Sequence, residues 1–501
     1  MNKKKLSLIF AIALLQTGCA TFRSYDSETS TLVSSIGSGQ VDEAISKLEK
    51  NASGEKDILY YMEKGELQRL KKLYPDTIAT WTEADKIIAE WENEAKVSTK
   101  KIGEGIGSVI INDKVQRYDG EDYEKVMLST RLALAYLAAG KTEDALVEIK
   151  KTWEREDFIK SLHEKEFDEA ENEAKGKGYT TKSEDLKGYP IATLNSPEVT
   201  NLKNGYQNAF SHYLSGFLYE AQGDLSLATA SYRTAIELQP TLQFLKDSLA
   251  GIDSRQGPIP NAGIALISNE PESASKKKNN KKSKKGKNST KKENSHVAFN
   301  PVNNNATITA INLNANESDV LLVVENGVAP TKKSIMIPLP IPQAGVVPIS
   351  FPVIETDPIS ANKAISVLLP NNTTVALSTI ASIENLSRRS LKDHLPWIML
   401  RSAIRAAVKG GAQAAAYKQN ALAGLAVNAL NVATEQADER TWKLLPSEIT
   451  IARIKLPEGT STIKLQTPQG IKEVTVNISG KHVVVPIRLI GNSIYNLQSS
   501  L

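Results

Sequence analysis

A single cysteine, Cys19, occurs among the 501 residues. No internal disulfide can form, so stability must come from apolar burial and hydrogen bonding. A chain this long has room for two or three domains with real cores. The five histidines, His163, His212, His296, His394 and His482, lie far apart in sequence. With no close histidine pair and no second cysteine there is no metal-ligand spacing, and no metal or cofactor is expected. The chain also lacks a Gly-x-Ser-x-Gly elbow and a Walker-type phosphate loop. Gly103-Glu104-Gly105-Ile106-Gly107 has no dinucleotide spacing and follows no clear strand, so it reads as a turn. Acid pairs such as Asp122 and Glu124 arise by chance in a chain with 57 acids. Catalysis is not expected; the alternative is an envelope hydrolase whose site is hidden in a β domain. Long apolar runs are missing too. Leu6 to Leu15, broken by Ser7, is too short to span roughly 30 Å of hydrocarbon as a helix.

Acidic excess is absent only on first count. Residues 276–292 carry ten lysines and no acid, and Lys3, Lys4 and Lys5 add three more; without these the net charge of +4 becomes −9. A mildly acidic body argues against a nucleic-acid-binding surface.

The beginning of the chain is informative. Lys3-Lys4-Lys5, the apolar run and Thr17-Gly18-Cys19 have the layout of a secretory signal. The segment resembles the lipobox of bacterial lipoproteins, with Gln16 standing where an aliphatic residue is usual and Leu15 one place early. The resemblance implies cleavage after residue 18 and lipidation of Cys19. Ala20, rather than Asp, follows the cysteine, which favours an outer-membrane anchor over inner-membrane retention. Several acyl chains would hold the protein firmly, at about 0.8 kcal/mol per buried CH₂.

Residues 19–255 read as an all-α solenoid of tetratricopeptide-like repeats. The clearest unit runs from Ala209 to Pro240. Gly216, Tyr219, Ala228, Tyr232, Ala235 and Pro240 fall at the spacings of that 34-residue repeat, and Gly223-Asp224 supplies its turn. Gly216 and Ala228 are small where the paired helices touch, and Ala235 lets the next helix approach. Tyr219 and Tyr232 fill the space between them, and Pro240 ends the second helix. A partial unit covers Val126 to Trp153, with Leu132, Ala133, Tyr136, Gly140 and Ala145 on the template. Ala44 after Gly39, and Tyr60 to Ala89, suggest further degenerate pairs. Such arrays usually bind a protein or peptide on a concave face, or else serve as spacers.

Residues 256–305 form a Lys-, Asn- and Ser-rich linker, expected to be disordered because it offers repulsion and little to bury. Lys276–Lys292 could meet anionic lipid headgroups. Residues 306–501 read as an antiparallel, sandwich-like β domain. Its strands are the β-branched runs Val320–Val324, Val346–Val353, Ile365–Leu369 and Thr374–Ile380, then Ile449–Leu456, Thr462–Gln466, Glu473–Asn477 and Val483–Leu489. Between the two sets, at about 394–440, a helical insert is expected, with Pro396 in its first turn and Gly410-Gly411 as a break. Arg401, Arg405 and Lys409 mark one polar stripe of it, and the alanines from Ala414 to Ala429 a small-residue surface. The insert is expected to pack on the sheet, or alternatively to contact membrane or an oligomer mate.

Several short motifs recur in this layout: Tyr118-Asp119-Gly120-Glu121-Asp122-Tyr123-Glu124, Leu134-Ala135-Tyr136-Leu137, Val323 to Pro330, Leu395-Pro396-Trp397, Leu445-Pro446, Ala452-Arg453 and Leu456-Pro457-Glu458-Gly459. Through them the chain resembles a family of uncharacterised Gram-negative lipoproteins with N-terminal repeats and a C-terminal β region. The family carries no established activity. The expectation is a tethered adaptor in the outer membrane, facing the periplasm and holding a protein partner. An accessory factor of cell-wall synthesis or of a surface machine is the alternative within that class.

Overall fold

The computed structural model describes residues 25–52, 56–97, 117–177, 182, 186–256, 316–341, 345–420 and 435–499. Cys19, Gly103–Gly107, Lys276–Lys292 and the alanines from Ala421 to Ala429 lie outside the described residues.

Four helix pairs make the N-terminal half: α1 Tyr25–Gly37 with α2 Val41–Asn51, α3 Ile58–Leu70 with α4 Tyr74–Val97, α5 Asp122–Ala138 with α6 Thr142–Lys177, and, after the short α7 Pro197–Thr200, α8 Ala209–Ala221 with α9 Leu225–Leu238. α10 Gln243–Gln256 packs behind α9. The four turns are built alike. Gly39, Lys72, Gly140 and Gly223 all take positive φ, at 84°, 59°, 72° and 81°. In each turn the next amide donates back to the helix: Gln40 to the Ser35 carbonyl at 2.8 Å, Leu73 to Gln68 at 3.0 Å, Lys141 to Tyr136 at 2.8 Å and Asp224 to Tyr219 at 2.9 Å. This is the left-handed cap that glycine adopts most cheaply, and Lys72 adopts it without being glycine. Counted from the turn, Ala44, Thr77, Ala145 and Ala228 are equivalent, and all four are fully buried.

The helix contact inside a pair also repeats. A Cβ on Gly216 would lie 2.6 Å from the Tyr232 ring, and one on Gly65 would lie 2.2 Å from Trp81 Nε1. The two pairs thus bring glycine against an aromatic ring at matching places. Ala235 is fully buried, Tyr219 is half-buried, and Pro240 stands two residues past Leu238, the end of α9.

The C-terminal half holds β1 Glu317–Asn326, β2 Thr331–Ile341, β3 Gly345–Glu355, β4 Ser366–Leu368, β5 Thr374–Ala376 and β6 Ser378–Ser382, then α11 Ile383–Gln419, then β7 Glu448–Pro457, β8 Gly459–Thr467, β9 Gly470–Ile478, β10 His482–Ile490 and β11 Ser493–Asn496. A five-stranded sheet runs β11-β10-β1-β7-β6, a four-stranded sheet β5-β4-β8-β9, and β2-β3 forms a separate hairpin. All pairings are antiparallel except β1 with β10, where Val320 lies opposite Val483 in parallel. β1 is buried on both faces, which explains its unbroken apolar run. Leu321 and Val323 point into a core shared with the helices, whereas Val320, Leu322 and Val324 point into the core between the sheets. The layers are therefore helices, sheet, sheet.

α11 departs from expectation. It starts at Ile383, so Pro396 falls inside it, and it continues through Gly410-Gly411. It packs on the β2-β3 hairpin through Leu391, Leu395, Met399, Ala403 and Ala406. Packing on both sides outweighs the roughly 3 kcal/mol a mid-helix proline costs. The expected polar stripe turns inward: Lys409 Nζ lies 2.6 Å from Glu435, and both Arg405 and Lys409 are buried.

A buried ion cluster joins the halves. Arg69 on α3 grips Glu325 of β1 with two bonds, at 2.9 and 2.6 Å. Arg131 on α5 bonds Glu66 at 2.6 Å and Glu325 at 3.2 Å, and Arg488 of β10 stands 3.8 Å from Glu66. All five side chains are essentially inaccessible. Burial opposes ionisation of Glu325, but Arg131 and Arg69 outweigh it and bring its pKa down to about 2. Burial, with its arginine neighbours, brings Arg488 down to about 10.

Gly65→Ala and Gly216→Ala should each cost about 1–3 kcal/mol by overpacking, whereas Gly251→Ala, where a Cβ meets nothing within 4 Å, should be neutral or stabilising in urea unfolding. Glu325→Gln leaves two arginines buried with fewer partners and should cost about 3–5 kcal/mol. Because folding lowers the Glu325 pKa from 4.5 to about 2, its stabilisation is full above about pH 4.5 and is lost as pH falls toward 2. The acid loss of stability should be shallower in the Gln variant.

Candidate functional site at the boundary of helices and sheets

The first helices of the second, third and fourth pairs turn their inner side to the chain's own β region. Between α11 and β7 the segment Thr441 to Leu445 crosses this face and is held by carboxylates. Glu124 Oε1 accepts the Trp442 amide at 2.7 Å and the Thr441 hydroxyl at 2.9 Å. Glu63 accepts the amides of Lys443 and Leu444 at 2.6 and 3.0 Å. Burial pushes the Glu63 carboxyl up to about 8, against the two amides that favour its charged form. Trp442 sits edge-on to Trp81, ring centroids 6.0 Å apart. The inner face expected to wait for a partner is thus lined by the protein itself. The sequence could not show this, because Glu63, Glu66, Glu124 and Arg131 look like solvated helix residues until the sheet is placed on them.

Two clusters of carboxylate and histidine lie along this boundary. In one, Asp122 opens α5, His163 comes from α6 and His394 from α11. His163 Nε2 lies 2.7 Å and His394 Nε2 3.8 Å from Asp122 Oδ2, and the two imidazole centroids are 5.0 Å apart. His394 Nδ1 is 2.9 Å from the Ser390 carbonyl. Since a carbonyl only accepts, Nδ1 carries a proton and donates it. Lys125 pairs with the other Asp122 oxygen at 3.0 Å and lies over the Trp91 ring at 3.3 Å. Burial would raise the Asp122 pKa, but Lys125, the His163 hydrogen bond and His394 overcome it and hold the carboxyl far below its usual range. Glu121 beside it is also lowered, against its burial, by Lys332 at 2.5 Å and by His394. Glu121, Asp122, Lys125, Lys332 and His394 line a cavity of about 320 Å³, together with Trp397 and Arg401.

The second cluster is Glu220 of α8, Asp319 of β1 and His482 of β10. His482 Nε2 is 3.8 Å from Asp319 Oδ2. Here Arg453 fills the centre: its Nε donates to Asp319 at 2.9 and 3.1 Å and its Nη2 to Glu220 at 2.9 Å. Burial raises the Glu220 pKa, but Arg453 outweighs it and the net shift is downward. Burial lowers that of His482. Tyr232, a repeat-packing residue, donates to Glu220 within the helix pair at 2.7 Å, and Arg453 of β7 donates to its hydroxyl at 3.4 Å and so ties the repeat to the sheet.

His394 and His482 therefore each face a carboxylate, an arrangement their sequence positions did not disclose. Neither has the geometry of an activated nucleophile. Ser390 Oγ is 3.5 Å from His394 Nδ1, but that nitrogen donates to the Ser390 carbonyl, and the hydroxyl donates to Glu121 at 3.2 Å. Of the other histidines, His212 bonds Glu156 at 2.9 Å in the helical core, and His296 lies outside the described residues.

No family model and no curated protein matches the chain. Among solved structures, the TPR2AB domain of yeast Sti1, in its pHSP90 complex, is similar over 46% of this chain and 70% of that one, at 17% identity and a TM-score of 0.18. A superposition that loose carries no argument, and the repeat character rests on the four equivalent turns.

Arg453→Met would leave buried Asp319 without its arginine, facing a Glu220 held by Arg255, and should cost about 3–5 kcal/mol. Adding Asp319→Asn should recover part of that loss, so that the double variant is more stable than the single one in urea unfolding.

Proposed function

We propose that the chain is a lipid-anchored adaptor of the bacterial cell envelope, tethered through Cys19 and holding a protein partner without catalysis. The observation that carries this reading is the acylation signal ending at Cys19, followed by a helical repeat array joined to a β region across one shared core. The motifs that give the lipoprotein resemblance support it. Tyr118–Glu124, Val323–Pro330, Trp397 and Arg453 all fall at the helix–sheet boundary. No described helix is long and apolar enough to cross a membrane. With the inner face covered, partner contact falls on the outer helices and on a cleft of about 500 Å³ between α5, α8 and β10, where Leu137, Phe217, Gln222, Lys481 and Val484 line the wall. Lys276–Lys292 would add attraction to anionic headgroups.

Cys19→Ser should release the protein from the membrane fraction into the soluble periplasmic fraction; continued membrane fractionation would sink the tether. Photocrosslinkers at Gln222 and Lys481 should trap a discrete partner. Only self-crosslinks would mean a scaffold of like subunits instead.

A further inference from the structure

We propose that the outer edge of β10 is a strand-addition site. It takes an extended segment of the partner protein, with apolar and polar side chains in alternation. This deepens the adaptor reading and rests on it. The cleft is the one given to the partner above, and the backbone edge inside it defines what the partner presents.

The edge follows from the ladder. Asp319 donates its amide to the Lys481 carbonyl at 2.9 Å, and Gly327 to the Leu489 carbonyl at 2.9 Å. The odd-numbered residues of β10 therefore turn their backbone groups to β1, and the even-numbered ones turn theirs the other way. On that outer side β11 pairs with Ile487 to Ile490, and the Leu497 amide takes the Pro486 carbonyl at 3.0 Å. The chain then bends away at Gln498. Among the described residues no strand pairs with the outer side of His482–Val485, so the amides and carbonyls of His482 and Val484 have no backbone partner there. The edge of the second sheet is closed differently. Asn496 Nδ2 donates to the Thr475 carbonyl at 2.6 Å, and the Gln498 side chain accepts from the Asn477 amide and donates to its carbonyl, each at 2.9 Å. Side chains thus cap β9, β11 caps the upper part of β10, and His482–Val485 remain open. An open edge of apolar residues is a template for pairing with another chain.

The cleft of about 500 Å³ that this edge lines fits a strand. At about 3.3 Å per residue the open stretch is about 13 Å long. Val484 packs on the side of the helical core and Val483 on the side of the core between the sheets. A strand laid along β10 follows the same alternation: the side chain opposite Val484 meets Leu137, Phe217 and Ala221, and the next meets Asn477 and Gln498. One wall is apolar and the other is built of amides, so the occupant alternates likewise. Main-chain bonds supply affinity and the walls supply selection. The edge is recessed between α8 and β9, so two copies of the chain cannot bring their β10 edges together, whereas a single extended strand enters and continues the line of β11.

The test selects random peptides displayed on phage against the full lipidated chain in detergent and measures the enriched sequences as synthetic peptides. Peptides that alternate apolar and polar residues are expected to bind. N-methylation of the two amides that face β10 should weaken binding at least about tenfold, and N-methylation of the amide between them should leave it within about twofold. Val484→Pro removes one edge donor and spares the β1 ladder, which uses residues 483 and 485; it should weaken binding about tenfold. Ala221→Trp, at an exposed position on the cleft wall, should block entry to the same degree, and it decides if circular dichroism shows Val484→Pro unfolded. Selection of no binding peptide, binding indifferent to both substitutions, or equal sensitivity to N-methylation at every amide overturns the proposal. Self-association of the chain that Val484→Pro abolishes makes a second copy the occupant and overturns it too. A discrete partner crosslinked at Gln222 while peptide binding fails removes only this inference; self-crosslinks alone remove the adaptor reading, whatever the peptides do.

Discussion

Everything else in the molecule is arranged around five charged side chains without access to water. Glu66 and Glu325 lie among Arg69, Arg131 and Arg488, drawn from two helices and two strands. Taking such charges out of water costs several kcal/mol each, and the attraction repays this only with good geometry. Arg69 meets Glu325 with two parallel bonds, which is the geometry that makes repayment feasible. A cluster like this adds less net stability than an apolar core of equal volume, but it permits one docking of array on sheet. A shift of a single residue along β1 would turn Glu325 to the opposite face.

That docking determines what surface remains. The inner side of a repeat array is normally open to partners. Here it carries β1, β7 and the Thr441–Leu445 segment, whose amides are taken by Glu63 and Glu124 much as a bound peptide's would be. The same docking creates the two carboxylate–histidine clusters, because each draws residues from both halves. One is closed by Arg453 and structural. The other opens on a cavity with Lys125, Lys332 and Arg401 around it.

The degree to which the sequence disclosed this follows the range of the interaction. Ala209–Pro240 was legible because its glycine, alanine and tyrosine spacings reflect contacts within one helix pair. The pair α3–α4 was only half legible. It has the same architecture, but Lys72 stands where glycine usually makes the turn and Trp81 where Tyr232 stands, so the template blurs. Most strands were legible from their β-branched runs, though Thr331–Ile341 and Ser493–Asn496 were not, and neither was the parallel pairing of β1 with β10, since their partnership spans more than a hundred residues of intervening chain. Pro396 misled because proline normally opens a helix, and here the flanks of α11 pack tightly enough on the β2-β3 hairpin to hold one inside. His163 and His394 carried no local signal at all.

The sequence by itself determined the helical pairs, their turns and most strands, because each rests on residues close together in the chain: a left-handed glycine, a small residue under an aromatic ring, alternation along a strand. The tertiary structure alone decided which charges became core, which face of the array was covered and which histidines met Asp122. Those outcomes depend on burial, and burial is set by elements far apart in sequence. An isolated helix does not reveal whether its Glu or Arg will face water or a buried partner.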